Sequence, residues 1–271
     1  MLSYPLVQPI ALFLLQAAVV FVGVIGLLIA LRRRLGAPPV LWGLGALAFI
    51  LSQAGRSVFL VGLTLLSNAL RLDFGAEGNF WSNVVILSFS AGLFEEPARY
   101  VVLRLMARER RDWADAVMFG AGHGGIEAIL LVGIGSGIVN SMLLLSAPIL
   151  LSVMPADQAR ETQQLLDTLR GVGADVILAS LIERALAIAI HIGLSVMVMR
   201  TLATRRSAWL IVAIVAHGVY NLVGIAAQRW WGVWGAEAVI ALCAMTALAA
   251  AAWLRARWSL PQSASAENTA L

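Results

Sequence analysis

The sequence predicts an all-α, polytopic membrane protein: a bundle of about seven transmembrane helices with the N-terminus outside and the C-terminus in the cytoplasm. Composition, the length of the apolar runs and the placement of arginine each point there. The chain has 271 residues, 61% of them hydrophobic and 13% charged, where a soluble domain carries about 25% charged residues. Mean hydropathy is +0.88, so a water-soluble fold is excluded. Apolar stretches of about 20 residues, the length that crosses about 30 Å of hydrocarbon, recur between short basic loops.

The first run, 10–31, has no basic leader, is too long for a signal-peptide core and ends on Arg32, Arg33 and Arg34. It reads as a retained anchor. Six further spans are expected over 40–66, 84–106, 116–151, 174–198, 208–227 and 234–254. Arginines gather after the first span, after the third (Arg104, Arg108, Arg110, Arg111), after the fifth (Arg200, Arg205, Arg206) and at the end of the seventh (Arg255, Arg257). Those four ends alternate, and the positive-inside rule makes each of them cytoplasmic. The net charge of +4 thus reports topology and not a nucleic-acid partner. Cys243, the single cysteine, reads as a small core residue, which excludes a disulfide framework or thiolate metal cluster.

The 116–151 run would reach about 54 Å as one straight helix. The run must therefore break or tilt; Gly133, Gly135 and Gly137 are the candidate break, which would leave 138–151 as a re-entrant or interfacial piece, followed by a short amphipathic helix over 155–169. Small residues are expected at the helix contacts. Trp81, Trp209, Trp230, Trp231 and Trp234 read as interface anchors. The chain is read as a single transmembrane domain, 1–258, with a disordered cytoplasmic tail, 259–271, and its location as a bacterial inner (plasma) membrane.

Ionisable residues inside spans are costly and mark function. They are Arg56, Glu95, Glu96, Arg99, His123, Glu127, Glu183, Arg184, His191 and His217, including all three histidines. Glu96 precedes Arg108 by 12 positions, His123 follows Asp112 by 11, His191 precedes Arg200 by 9 and His217 follows Arg206 by 11. Four different helices then carry a Glu or His about 14 to 18 Å deep, near the midplane. Arg99 lies at i+4 from Glu95 and i+3 from Glu96, close enough to neutralise either, and the carboxylate left unpaired suits general-base work. His217 and Asn221 are one turn apart, and an amide there suits a developing oxyanion. Glu127 either orients His123 or pairs with Arg56 or Arg184. Glu183 and Arg184, about 12 Å outward of His191, read as a structural pair or gate, and Arg56 with Gln53 as a counter-charge to the buried carboxylates.

The sequence Glu95-Glu96-Pro97-Ala98-Arg99, the Phe-x-x-x-His of Phe119 to His123 and the His-x-x-x-Asn of His217 to Asn221, in that order on successive helices, resemble the motifs of the CAAX-protease and bacteriocin-processing (CPBP) superfamily. The nearest resemblance is to its YhfC branch of membrane peptidases, within the wider group that includes the PrsW proteases, and it spans about Gln53 to Asn221. The resemblance implies intramembrane peptide hydrolysis of the glutamic type: Glu95 and His123 activate water, and His217 with Asn221 stabilises the oxyanion. Arg99, Glu127 and His191 read as supporting residues; His191, with Ser195 four places on, competes with His217 for the third motif, but His217 has the matching Asn. The superfamily pattern is Glu-Glu-x-x-x-Arg, and here the arginine comes one place early. The pairing argument favours Glu96 as the base and the family order favours Glu95, so both stay open.

Other intramembrane chemistries fail on spacing. There is no His-Glu-x-x-His, Gly133 to Gly137 misses Gly-x-Ser-Gly by one place, and Gly173-Ala174-Asp175 is not Gly-x-Gly-Asp. No cofactor is expected, because an amide beside His217 is a poor zinc ligand and Arg99 repels a dication. The alternative is a zinc enzyme in which His123, His191 and His217 are ligands. Two further alternatives are a silent scaffold with a protease-like shell and a proton- or metal-coupled transporter, the latter disfavoured by the lack of an inverted repeat. The expected partner is a transmembrane or membrane-anchored peptide, since no loop is large enough to read a soluble one.

Overall fold

The computed structural model describes residues 4–258; the expected tail, 259–271, lies outside them. The described residues are almost entirely helical: α1 (Tyr4–Leu35), α2 (Val40–Ala69), α3 (Gly75–Met106), α4 (Trp113–Ala128), a π-helical segment (Ile129–Val139), α5 (Asn140–Val153), α6 (Ala156–Arg170), α7 (Ala174–Thr204) and α8 (Ala208–Ala256). All seven expected spans fall on helices. Hydropathy and length alone identify five of these helices as spans and pass over α3, because Glu95, Glu96 and Arg99 lie within four residues of each other on it.

Helix α8 runs for 49 residues, about 74 Å, and is two spans in one. Gly232 divides it with φ 72° and ψ −172°, a backbone conformation that only glycine adopts at no steric cost. The two arms correspond to the expected spans 208–227 and 234–254.

The expected break in the fourth span is not there. Helix continues from Trp113 to Val153, through the π-helical segment that contains Gly133, Gly135 and Gly137. Two of these glycines, Gly133 and Gly137, serve close packing against α1 instead. A Cβ on Gly137 would lie 2.7 Å from the Ala17 Cβ and 2.9 Å from the Phe13 carbonyl oxygen, and one on Gly133 would press on Phe21. The segment stays helical with α1 packed against it. The short amphipathic helix is present as α6, with Leu166 and Leu169 buried.

The main core joins α2, α3, α4, α7 and α8, with α4 at its centre: every residue from Asp115 to Gly125 is buried. Small residues make that possible, as expected. A Cβ on Gly122 would sit 2.0 Å from the Trp42 carbonyl oxygen of α2, and one on Gly120 2.6 Å from the Ile192 Cα of α7. On α3, a Cβ on Gly92 would meet the Ile214 carbonyl oxygen of α8 at 2.4 Å. Backbones that approach this closely bring short side chains such as Glu and His within reach across helices.

Candidate functional site

The residues at the shared depth meet at one point. Helix α3 supplies Glu95, Glu96 and Arg99, α4 supplies His123 and Glu127, α7 supplies His191, and the first arm of α8 supplies His217. His123 Nε2 lies 3.0 Å from Glu95 Oε2, and His217 Nδ1 2.7 Å from Glu96 Oε1. The His191 ring centroid is 5.0 Å from that of His123 and 5.5 Å from that of His217. Glu96, Arg99 and His123 have no solvent exposure at all.

Arg99 is the hub of the charges. Its Nη2 is 3.5 Å from Glu95 Oε2 and its Nη1 is 3.4 Å from Glu96 Oε1, so it serves both carboxylates. It also donates to the Ser195 hydroxyl at 3.2 Å, to the His191 carbonyl at 3.3 Å and to His191 Nδ1 at 2.6 Å. An arginine is donor only, so His191 Nδ1 accepts and its Nε2 carries the ring proton. That nitrogen faces Glu127 Oε2 at 2.5 Å. His217 is fixed the opposite way: its Nδ1–H donates to Glu96 and leaves Nε2 as a lone pair, 3.9 Å from Glu95 Oε2. Two of the three imidazoles thus each pin one proton on a buried carboxylate, an arrangement that fixes tautomer and ring orientation.

The two adjacent glutamates are not equivalent. Glu96 is sealed between Arg99 and His217, whereas Glu95 lines a cavity of about 320 Å³ together with His191, His217 and Asn221. Gln53 of α2 donates to Glu95 Oε1 at 3.0 Å, and Arg56 donates to Gln53 in turn, which is how Arg56 offsets buried charge. Glu127 meets neither His123 nor Arg56. It pairs with Arg184 at 3.1 Å, and Arg184 also holds Glu183, so the pair read as a gate is wired through Glu127 to His191. Two cavity residues escaped the sequence reading. Ser88 and Glu237 are both buried and both line the cavity. Glu237 stands inside the seventh span and the rule that flagged the other carboxylates covers it; Ser88 carried no such signal.

Glu95, His123 and His191 each bring a ligand atom within 4.8 Å of the others, and imidazole nitrogen with carboxylate oxygen is a donor set that zinc takes. His123 Nδ1 and Glu96 Oε2 are buried without a hydrogen-bond partner. The expected repulsion from Arg99 loses its force here, because the guanidinium faces two carboxylates and its charge is more than offset. The donor types present therefore fit a metal ion once His191 releases its lone pair from Arg99, and the expectation of a metal-free site is the weaker of the two.

Known proteins agree with the membrane setting. An uncharacterized membrane protein, YhfC, of Bacillus subtilis (strain 168) is 30% identical over 237 residues, which cover 82% of this chain and 86% of that one. No solved structure matches. Residues 18–244, which carry every helix that contributes to the cluster, match the family described as YhfC intramembrane metalloprotease, and it is to this family of membrane proteins that the chain belongs.

Proposed function

We propose that the protein is an intramembrane peptidase of the bacterial plasma membrane that cleaves transmembrane or membrane-anchored peptides with the help of a zinc ion. The observation that carries the reading is the convergence of Glu95, His123, His191 and His217 from four helices at one end of a 320 Å³ cavity. The family's description as a metalloprotease supports it.

Glu95, His123 and His191 would hold the ion. When bound, zinc supplies a Lewis acid that polarises the scissile carbonyl and makes water acidic near neutral pH. The chain's own groups do the rest. His217, with Nδ1–H anchored on Glu96, presents a bare Nε2 that accepts the proton of the attacking water and returns it to the leaving amine. Glu96 keeps that tautomer in place and stabilises the imidazolium formed midway. Asn221, one turn from His217 and lining the cavity, presents an amide donor to the developing oxyanion. Glu96 and His123 are without solvent exposure, which strengthens their interactions.

One observation favours a second reading. Arg99 already occupies the His191 lone pair at 2.6 Å, and a site without metal would then be of the glutamic type, with Glu95 and His123 activating the water and His217 with Asn221 at the oxyanion. Zinc analysis with a chelation test separates the two. Zinc dependence predicts about one zinc per chain, activity lost to 1,10-phenanthroline and regained on adding zinc, and loss of the metal in His123→Ala. Full activity with far less than one zinc per chain, unaffected by the chelator, would establish the glutamic mechanism instead.

A further inference from the structure

The far end of the same cavity carries a carboxyl group that no cationic side chain among the described residues pairs with. Beyond Gly232, the second arm of α8 turns Val233, Ala236, Glu237 and Ile240 towards the cavity, the i, i+3, i+4, i+7 spacing of a single helix face. Three of the four are apolar; the fourth is a carboxylate. Glu237 is 7% exposed, its Oε2 has no hydrogen-bond partner, and among the described residues no cationic side chain lies within ion-pair distance of it. The nearby guanidinium, Arg184, is engaged by Glu127 and Glu183. Arg56, also on the wall, spends its nitrogens on Gln53, Ser90 and the Leu87 carbonyl. One guanidinium therefore serves two of the three carboxyl groups here, and a buried carboxyl group without a partner is costly. A structural role would have placed Arg184 against Glu237 or made the position apolar like its neighbours on the face.

We propose that Glu237, with Glu183 at the rim, is a cation subsite of the peptide-binding cavity: it receives an ammonium or guanidinium group of the substrate and so sets which peptides are cleaved. The group is a lysine or arginine side chain near the scissile bond, or the N-terminal ammonium of a chain whose end enters the cavity. The inference rests on the peptidase reading, since both ends of one cavity must then meet one substrate. It makes Glu237 a specificity-determining residue and assigns it no part in the chemistry.

The test uses full-length protein in lipid and a set of transmembrane peptides identical except at one position, which carries Lys, Arg, norleucine, Gln or Glu, each with a free or an acetylated N-terminus. The wild type is expected to favour Lys or Arg over norleucine about tenfold or more in kcat/KM, chiefly through KM. In Glu237→Gln that ratio falls to near one, and in Glu237→Lys the order reverses towards the Glu peptide, with thermal unfolding confirming that both variants fold. A preference that follows the side chain identifies an internal basic residue; one abolished by acetylation identifies the N-terminal ammonium. Equal rates for all peptides, or a preference untouched in Glu237→Gln, would overturn the subsite while leaving the peptidase reading intact. If the wild type cleaves none of the peptides, the peptidase reading fails. Binding of the uncleaved Lys and norleucine peptides to wild type and Glu237→Gln then decides the subsite, and equal affinities overturn it.

Discussion

Glu95 and Glu96 diverge by about 100° around α3, because a helix turns once in 3.6 residues, and that divergence gives neighbouring carboxylates different tasks. Glu95 faces the cavity and His123, and Glu96 faces Arg99 and His217 with no exposure. Glu95→Gln is expected to keep its helical content, lose bound zinc and lose about 100-fold or more in rate. Glu96→Gln strands a buried guanidinium and frees the His217 ring, and breaking a buried pair from one side costs about 3–5 kcal/mol. It should therefore show the larger fall in melting temperature in detergent, with activity lost alongside. Two folded variants at full activity would remove both glutamates from the mechanism.

At the scale of elements, α4 decides where His123 lies, and Gly122 decides how close α4 comes to α2. A methyl group at Gly122 would enter the Trp42 carbonyl, which is backbone and cannot turn aside. Forcing an extra carbon into a close-packed contact costs about 1–3 kcal/mol. Gly122→Ala should melt several degrees below the wild type and lose activity, because the adjacent His123 moves with the helix. Gly62→Ala, on the lipid-facing part of α2 with nothing within 4 Å, should change neither and is the control. Gly232 answers to a different constraint. Space around it is open, and its cost on substitution is conformational alone, since φ is 72°. Gly232→Ala is expected to cost about 1–3 kcal/mol and to redirect the second arm of α8; an Ala variant with wild-type melting and wild-type peptide preference would show that the bend does not position that arm.

The whole molecule is a set of spans that alternate in direction, and the arginine clusters assign their orientation. A reporter that works only in the cytoplasm should give signal when fused after Leu271 and none when inserted near Ala159, in α6. The reverse pattern would invert the orientation and place the Glu237 end of the cavity on the cytoplasmic side. At this scale the core that holds the site is also the one that holds the bundle: α4 is buried on all faces, so loss of the site's helix contacts and loss of the fold are expected to occur together on heating.

The sequence by itself determined the membrane class, the seven spans and the glutamates and histidines that meet at the cluster, though not Ser88 or Glu237. It could do so because hydropathy is a property of composition, and because burying Glu95, His123, His191 or His217 in hydrocarbon is costly enough to be visible one residue at a time. Their common depth follows from helix rise alone. What needed the tertiary structure were the relations across helices. Spacing on α4 put Glu127 beside His123, yet the packing of α7 gave Glu127 to His191 and Arg184. Three glycines looked like a break, yet the helix runs on through them with α1 packed against two, Gly133 and Gly137. Which glutamate faces the cavity depends on the rotation of α3 against α8, where Gly92 admits the Ile214 carbonyl, and rotation about a helix axis leaves no trace in the length or hydropathy of a run. The charge left over at Glu237 is of the same kind, since a missing partner is a fact about neighbours, and neighbours on separate helices are chosen by packing.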